Sequence, residues 1–317
     1  MGWIDTFDKG AGSNLDFRVM LPSARLRPFV RYYWILKCHG SAASTDEYLA
    51  PDGFEELIFS FAGRFRRTEI HGDQVSRDVL ERSYFVGCKT VGVNCLRLDD
   101  LCMVGVKLWP NSLHSLLGIP MAELRGKPLR LVELGNRPLL ELESKIHDAR
   151  GEDEIKRVLD ESLCPVELSR RSGGLVGLSI SRIFDARGDI AIDDILRTEG
   201  AHYRTAERAF RERVGVPPKQ LAKVVRFKHA YTTLDPRASA CPKAMSPLDF
   251  GYYDASHFLK DFRQFTGTSP RKFLRSQPGF STEIFNFCLH LDLHRLESRE
   301  AERGFALAGT SQGQQLS

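Results

Sequence analysis

Two short stretches in the C-terminal half carry side chains of types and spacings suited to reading a polyanion. In the first, Arg204, Thr205, Glu207, Arg208 and Arg211 fall away from an apolar stripe containing Ala206 and Phe210. In the second, Ser256, His257, Lys260, Arg263 and Gln264 fall away from a stripe of Ala255, Phe258, Phe262 and Phe265. Arginine can bond two acceptors on one guanine edge. Serine, histidine and glutamine can reach base edges, and lysine or a spare arginine can neutralise phosphate. A single charged helix face is more often just solvated. Two copies in one basic region shift the balance toward a nucleic-acid surface.

Catalytic chemistry has little support. There is no glycine-rich phosphate loop, no G-x-S-x-G and no H-E-x-x-H. Cys88, Cys95 and Cys102 are each seven residues apart, whereas metal-binding pairs usually sit two to four apart. Cys38, His39 and His71 could complete a redox or metal site, but nothing in their spacing requires it. No catalytic residue, metal or cofactor is therefore assigned. The seven cysteines are an odd number in a long chain, which suits a reducing cytoplasm better than a disulfide framework. No apolar run is long enough to span a membrane, and the first residues lack a secretory apolar core.

The elements that must position the two stretches form a repeat. FRERVGVPPKQLAK (210–223) and FRQFTGTSPRKFLR (262–275) align at a constant offset of 52 residues. Phe210, Arg211, Gly215 and Pro218 correspond to Phe262, Arg263, Gly267 and Pro270. Each copy reads as a helix, a glycine stop and a proline-led start of the next helix. Asp254 is placed to cap the second helix. Shorter helices are expected before each, over about 193–199 and 248–250, which is helix-turn-helix arithmetic. Between Arg170 and Pro278 the chain holds 20 Lys and Arg against 11 Asp and Glu. That net of +9, in a chain of net +4, leaves an acidic remainder and suggests a basic binding module joined to a different kind of domain.

The segment GYYDASHFLKDFRQFTGTSPRKFL resembles the signature of the AraC/XylS family of bacterial transcription regulators. HYRTAERAFRERVGVPPKQLAKVVRFKHA is similar to that family's first helix-turn-helix and linker helix. The resemblance spans about 175–277 and implies an all-α domain of two helix-turn-helix units on a connecting helix near 219–234. Two recognition helices would then enter successive major grooves about 34 Å apart. By motif position, Arg204, Glu207 and Arg208 would read bases in the first unit, and Ala255, Ser256 and Lys260 in the second. The family pattern is broken at Ala191, His202 and Ala206. It is broken again at Pro247, which predicts a short helix starting there, and at Ala255, which replaces a longer, often base-reading side chain, so that the second unit is expected to bind mainly phosphate. The resemblance implies double-stranded operator DNA as partner, with RNA polymerase, a small-molecule effector and a second copy of the chain as further partners.

The N-terminal half alternates short apolar runs: FVRYYWILKC, ELIFSFAGRF, YFVGCKTVG and CMVGVKLWP. These predict strands of an antiparallel barrel or sandwich, giving an α+β chain overall. Pro51-Asp52-Gly53, Glu56–Phe59, Val86-Gly87, Trp109-Pro110 and Leu117–Pro120 resemble the cupin-like sensor domain of some of these regulators. Tyr32, Trp34, Glu55, Phe59 and Phe61, on early strands, are the candidate effector-lining residues, although apolar residues there are more often simply core. Residues 1–14 read as a flexible leader and 15–135 as the sensor domain. Residues 136–168 read as a helical segment that either dimerises or packs on the sensor. Ser169–Gly174 reads as a linker, and 281–317 as a partly disordered tail. The alternatives are a repair protein that accepts a methyl group on a zinc-bound cysteine, and a non-specific architectural DNA binder. The first needs a tight four-cysteine cluster that the sequence lacks. The second predicts affinity set by salt alone.

Overall fold

The computed structural model describes residues 3–5, 15–38, 47–71, 74–124, 127–163, 173–233 and 246–276. The 281–317 tail and most of the Ser169–Gly174 linker lie outside them. The N-terminal half holds two antiparallel sheets. Across the larger, in spatial order, run β1 (Trp3–Asp5), β2 (Leu15–Met20), β3 (Val30–Cys38), β10 (Leu101–Leu108), β5 (Glu55–Ala62), β8 (Tyr84–Val86) and β11 (Pro128–Arg130). The smaller is ordered β4 (Glu47–Leu49), β9 (Val93–Arg97), β6 (Phe65–His71), β7 (Gln74–Leu80). Trp3–Asp5, expected in a loose leader, instead pair with Arg18–Met20; a sheet edge offers unpaired backbone groups to a nearby strand.

Side-chain alternation gives the large sheet two apolar faces. Tyr32, Trp34, Ile58, Tyr84, Val86 and Met103 face the smaller sheet, with Leu80 and Phe65 opposite them. Tyr33, Ile35, Leu57, Phe59, Val104 and Val106 face the other way. That second face is covered by α1 (Ser112–Leu117), α2 (Arg137–Asp148) and α3 (Glu152–Ser162). Leu139, Leu142, Ile146, Val158 and Leu159 are the buried residues of α2 and α3. The stripe predicted for 136–168 therefore packs on the sensor sheet, each fully buried leucine contributing about 2 kcal/mol.

The C-terminal half is helical. α4 (Gly174–Asp185), α5 (Ile192–Thr198) and α6 (Tyr203–Arg213) form the first unit. α7 (Pro218–Thr233) connects it to a 3₁₀ turn (Pro247–Phe250), α8 (Ala255–Thr266) and α9 (Pro270–Ser276). Pro247 does shorten the helix it begins. Ser246 caps that turn by accepting from the Leu248 N–H at 3.3 Å, while Asp249 accepts from the Ser246 N–H at 2.8 Å. α8 is bounded as its sequence predicts: Asp254 accepts from the His257 N–H at 2.7 Å, and Gly267 takes the left-handed φ of 72° that ends the helix. α6 has no side-chain cap at His202, one of the positions where the sequence breaks the pattern noted above.

Candidate nucleic-acid interface and the domain junction

The recognition-helix candidates all lie toward solvent. On α6, Arg204, Thr205, Arg208 and Arg211 are exposed and Glu207 is half-buried, while Ala206 and Phe210 are sealed in the core of the first unit. On α8, Ala255, Ser256, Lys260 and Arg263 are exposed and His257 is half-buried, over Phe258, Phe262 and Phe265. Ala255 thus leaves the apolar stripe in which the spacing had placed it. It occupies the first turn of α8, before the stripe meets its core.

These side chains are not equally free. Arg211 donates to Glu207 at 2.8 Å one turn earlier, so part of its fork is already engaged. His257 Nε2 lies 3.4 Å from an Arg226 nitrogen. Among the described residues, Arg204, Arg208, Lys260 and Arg263 make no ion pair, leaving their charges for an outside partner.

Behind this face the sensor domain grips both units. Gly53, at φ 74°, turns the Pro51-Asp52-Gly53 loop so tightly onto α7 that a Cβ there would lie 3.0 Å from Leu221. Phe54 stacks against Phe184 of α4 with ring centroids 4.9 Å apart, and Trp109 meets the same ring at 5.2 Å. Tyr48 packs on Phe273 of α9 at 5.1 Å, and its hydroxyl donates to the Phe265 carbonyl at 2.7 Å. Buried Cys88 joins the first unit's core, and its thiol lies 3.2 Å from the Gly53 carbonyl.

A charged cluster underlies this junction. Asp52 lies 2.5 Å from Lys107 and 3.5 Å from Lys89, while Glu56 lies 2.6 Å from Lys89 and accepts from the Trp34 indole at 2.9 Å. Burial pushes both carboxyls up, but Lys107 and Lys89 overcome it and hold Asp52 and Glu56 below the usual carboxylate range. Lys228, reaching in from α7, sits 4.8 Å above the Phe54 ring. Burial pushes its ammonium well below the ordinary lysine value, with Arg31, Lys107 and Lys89 adding to the effect and Asp52 opposing it.

The five effector candidates divide between the sheet's two faces. Tyr32 and Trp34 lie between the sheets. Phe59 is sealed among the helices, and Phe61 packs at that cluster's edge. Glu55 accepts from the Asn111 and Leu113 N–H groups at 3.0 and 2.7 Å, anchoring the start of α1. Phe61 borders an open cleft of about 650 Å³, with Ser60, Arg64, Glu81, Arg82 and Glu143 among its lining. Tyr48, Lys228 and Asp261 are structurally prominent residues that the sequence reading missed. Only Asp261 carried a local signal, as an acid beside a phenylalanine stripe.

Two family models match separate parts of the chain. Residues 195–276 match a family model described as a helix-turn-helix domain, and residues 18–130 match a domain of unknown function, DUF6597. The C-terminal half of the chain thus carries a helix-turn-helix domain. That domain marks a DNA-binding transcription regulator. Among solved structures, the apo form of a lysine-to-alanine variant of ToxT from Vibrio cholerae is 14% identical, with 77% of this chain and 97% of that one covered at a TM-score of 0.41. ToxT from the same organism with an unsaturated fatty acid bound is 11% identical, over 86% and 99%, also at 0.41. A search of curated proteins finds no match. Among the described residues no helix is long and apolar enough to cross a membrane.

Proposed function

We propose that this regulator binds a specific operator through two base boxes about one duplex turn apart, and that a small-molecule effector alters its binding by changing how the sensor docks on the two units. The observation that carries the first part is the pair of solvent-facing helices, each bounded by a glycine stop and backed by its own apolar core. In this reading Arg204, Thr205, Glu207, Arg208 and Arg211 of α6 read the first box. Ala255, Ser256, His257, Lys260 and Arg263 of α8 approach the second, largely through phosphate. Arg204, Arg208, Lys260 and Arg263 carry charge that no described acid engages. The protein acts in the cytoplasm as a one-component switch, with RNA polymerase and a second copy of the chain as further partners.

The effector part is supported by the junction, since one sensor loop touches α4 and α7 while Tyr48 touches α8 and α9. A ligand that binds one docking arrangement better than another shifts the population toward it. Of the five lining candidates, Phe61 borders the open cleft, and Tyr32 and Trp34 lie between the sheets. Glu55 is committed to α1 and Phe59 to the helical core.

In-vitro selection from random duplex DNA at physiological salt tests this reading. Two enriched boxes about one turn apart support it. Enrichment of nothing, with and without cell extract, would favour an architectural binder whose affinity follows salt alone.

A further inference from the structure

One difference between the two helix-turn-helix copies places a charge inside the second. The offset of 52 residues sets Ala209 of α6 against Asp261 of α8. Ala209 is half-buried against the first unit's core. Asp261 is a carboxylate only 1% exposed. Its Oδ1 lies 2.9 Å from Lys223 Nζ; its Oδ2 lies 3.8 Å from Arg226 and 4.0 Å from His257 Nε2. Lys223 and Arg226 are three residues apart on α7, the helix that joins the two units, and so share a face.

The same two cations hold α8 at other points. Lys223 donates to Gln264 Oε1 at 2.5 Å. Arg226 lies 4.7 Å over the Tyr252 ring and donates to the Gly251 carbonyl at 3.4 Å, in the turn that leads into α8. α7 therefore grips the turn before the second recognition helix, its first turn at His257, its middle at Asp261 and its third turn at Gln264. Between α6 and α7 the cationic contact is of another kind, Lys219 Nζ lying 4.8 Å from the Tyr203 ring.

Apolar contacts are non-directional and tolerate small rotations of one helix on another. A buried carboxylate is not tolerant, because moving it off its cations leaves an uncompensated charge in a dry site. The inward placement also removes a repulsion, since a carboxylate on the outer face of a recognition helix would oppose approaching phosphates.

We propose that the Asp261–Lys223–Arg226 cluster fixes the rotation of α8 about the linker helix, and so sets the box spacing that the protein accepts. Asp261 is a positioning residue that touches no DNA. This inference rests on the two-box reading above. Moving one box by a single base pair shifts it about 3.4 Å along the duplex and about 35° around it, a displacement that a pinned helix cannot follow.

The test measures the affinity of the full-length protein for the selected operator. It is compared with the same DNA carrying one base pair more or one fewer between boxes, and with DNA whose second box is scrambled. Wild type is expected to lose at least about tenfold at either altered spacing. Asp261→Asn is expected to bind the scrambled-box DNA as wild type does, yet to treat the three spacings within about threefold. Lys223→Gln, altered at a partly exposed partner, should do the same and carries the test if Asp261→Asn does not fold. The double variant should be no worse than either single one, because the residues act as a unit. Retained tenfold spacing discrimination in Lys223→Gln and Asp261→Asn overturns the proposal. So does an equal loss on scrambled-box DNA, which marks a general structural defect. A wild type indifferent to spacing overturns the two-box reading itself.

Discussion

The Tyr48 hydroxyl donates a 2.7 Å hydrogen bond to the Phe265 carbonyl, joining a sensor strand to the last turn of the second recognition helix across 217 residues of sequence. Tyr48 is buried, so water cannot readily replace the lost partner. Tyr48→Phe keeps the ring stack on Phe273 and removes only that bond. It should destabilise the chain by about 1–3 kcal/mol in urea unfolding, because the carbonyl is left unsatisfied. An unchanged midpoint would mean that the contact does not hold the junction.

The sensor interior depends on a glycine of ordinary backbone conformation. A Cβ on Gly105 would lie 1.9 Å from the Trp34 ring, whose indole also donates to Glu56. Gly105→Ala must therefore displace the indole. The expected cost is about 3 kcal/mol, from overpacking and a broken buried hydrogen bond. A shifted Trp34 fluorescence maximum should accompany it. A variant as stable as wild type would place Trp34 elsewhere.

Glu55 gives a pH signature. Burial pushes its carboxyl up to about 8, against the Leu113, Asn111 and Ser112 N–H groups, which favour the charged form. A carboxyl with a raised folded pKa is ionised only in the unfolded chain between about pH 4.3 and its folded value. Folding stability should therefore fall with rising pH across that window and level off above it. Relative to wild type, Glu55→Gln should gain stability across the window with a slope approaching about 1.4 kcal/mol per pH unit. Urea titrations at several pH values measure the slope, and a flat difference would contradict the assignment.

Lys228 titrates in the opposite sense. Its ammonium is held below the ordinary lysine value by burial, so the folded chain binds fewer protons than the unfolded one below about pH 10. Wild-type stability should drop relative to Lys228→Met as pH falls from about 10 toward the depressed folded value, then run parallel. Methionine keeps the length and apolar contact without the charge, while Asp52 retains Lys107 and Lys89. A variant less stable than wild type at pH 7 would show that the cation over Phe54 is net stabilising.

On DNA, the two recognition helices should respond differently. Arg208→Ala should cost about 1–3 kcal/mol on the selected site and relax base preference within the first box. Lys260→Ala should weaken binding evenly across sequences and reduce the salt slope by about one. Binding isotherms on matched and mismatched sites at several salt concentrations separate these outcomes. Specificity lost at Lys260 instead would make the second unit a base reader.

The helical half was legible because its signals are local. Phenylalanine spacing, the Asp254 cap, the Gly267 stop and the Pro247 interruption each act within a few residues of where they stand. The strands were also visible, but the faces of the large sheet were not. β3 and β5 are apolar on both sides, so alternation could not say that Trp34 faces the other sheet while Phe59 faces helices. Glu55 looked available for a ligand because its backbone partners, Asn111 and Leu113, lie more than fifty residues away. Tyr48 and Lys228 acquire their roles only when the sensor meets α7, α8 and α9.

Hydroxyl-radical footprinting of the selected operator tests the central claim most directly. Two protected patches centred about one turn apart on the same face of the duplex are predicted, with Arg208→Ala weakening one and Lys260→Ala the other. A single protected patch, or uniform protection with no boundaries, would contradict recognition through two units.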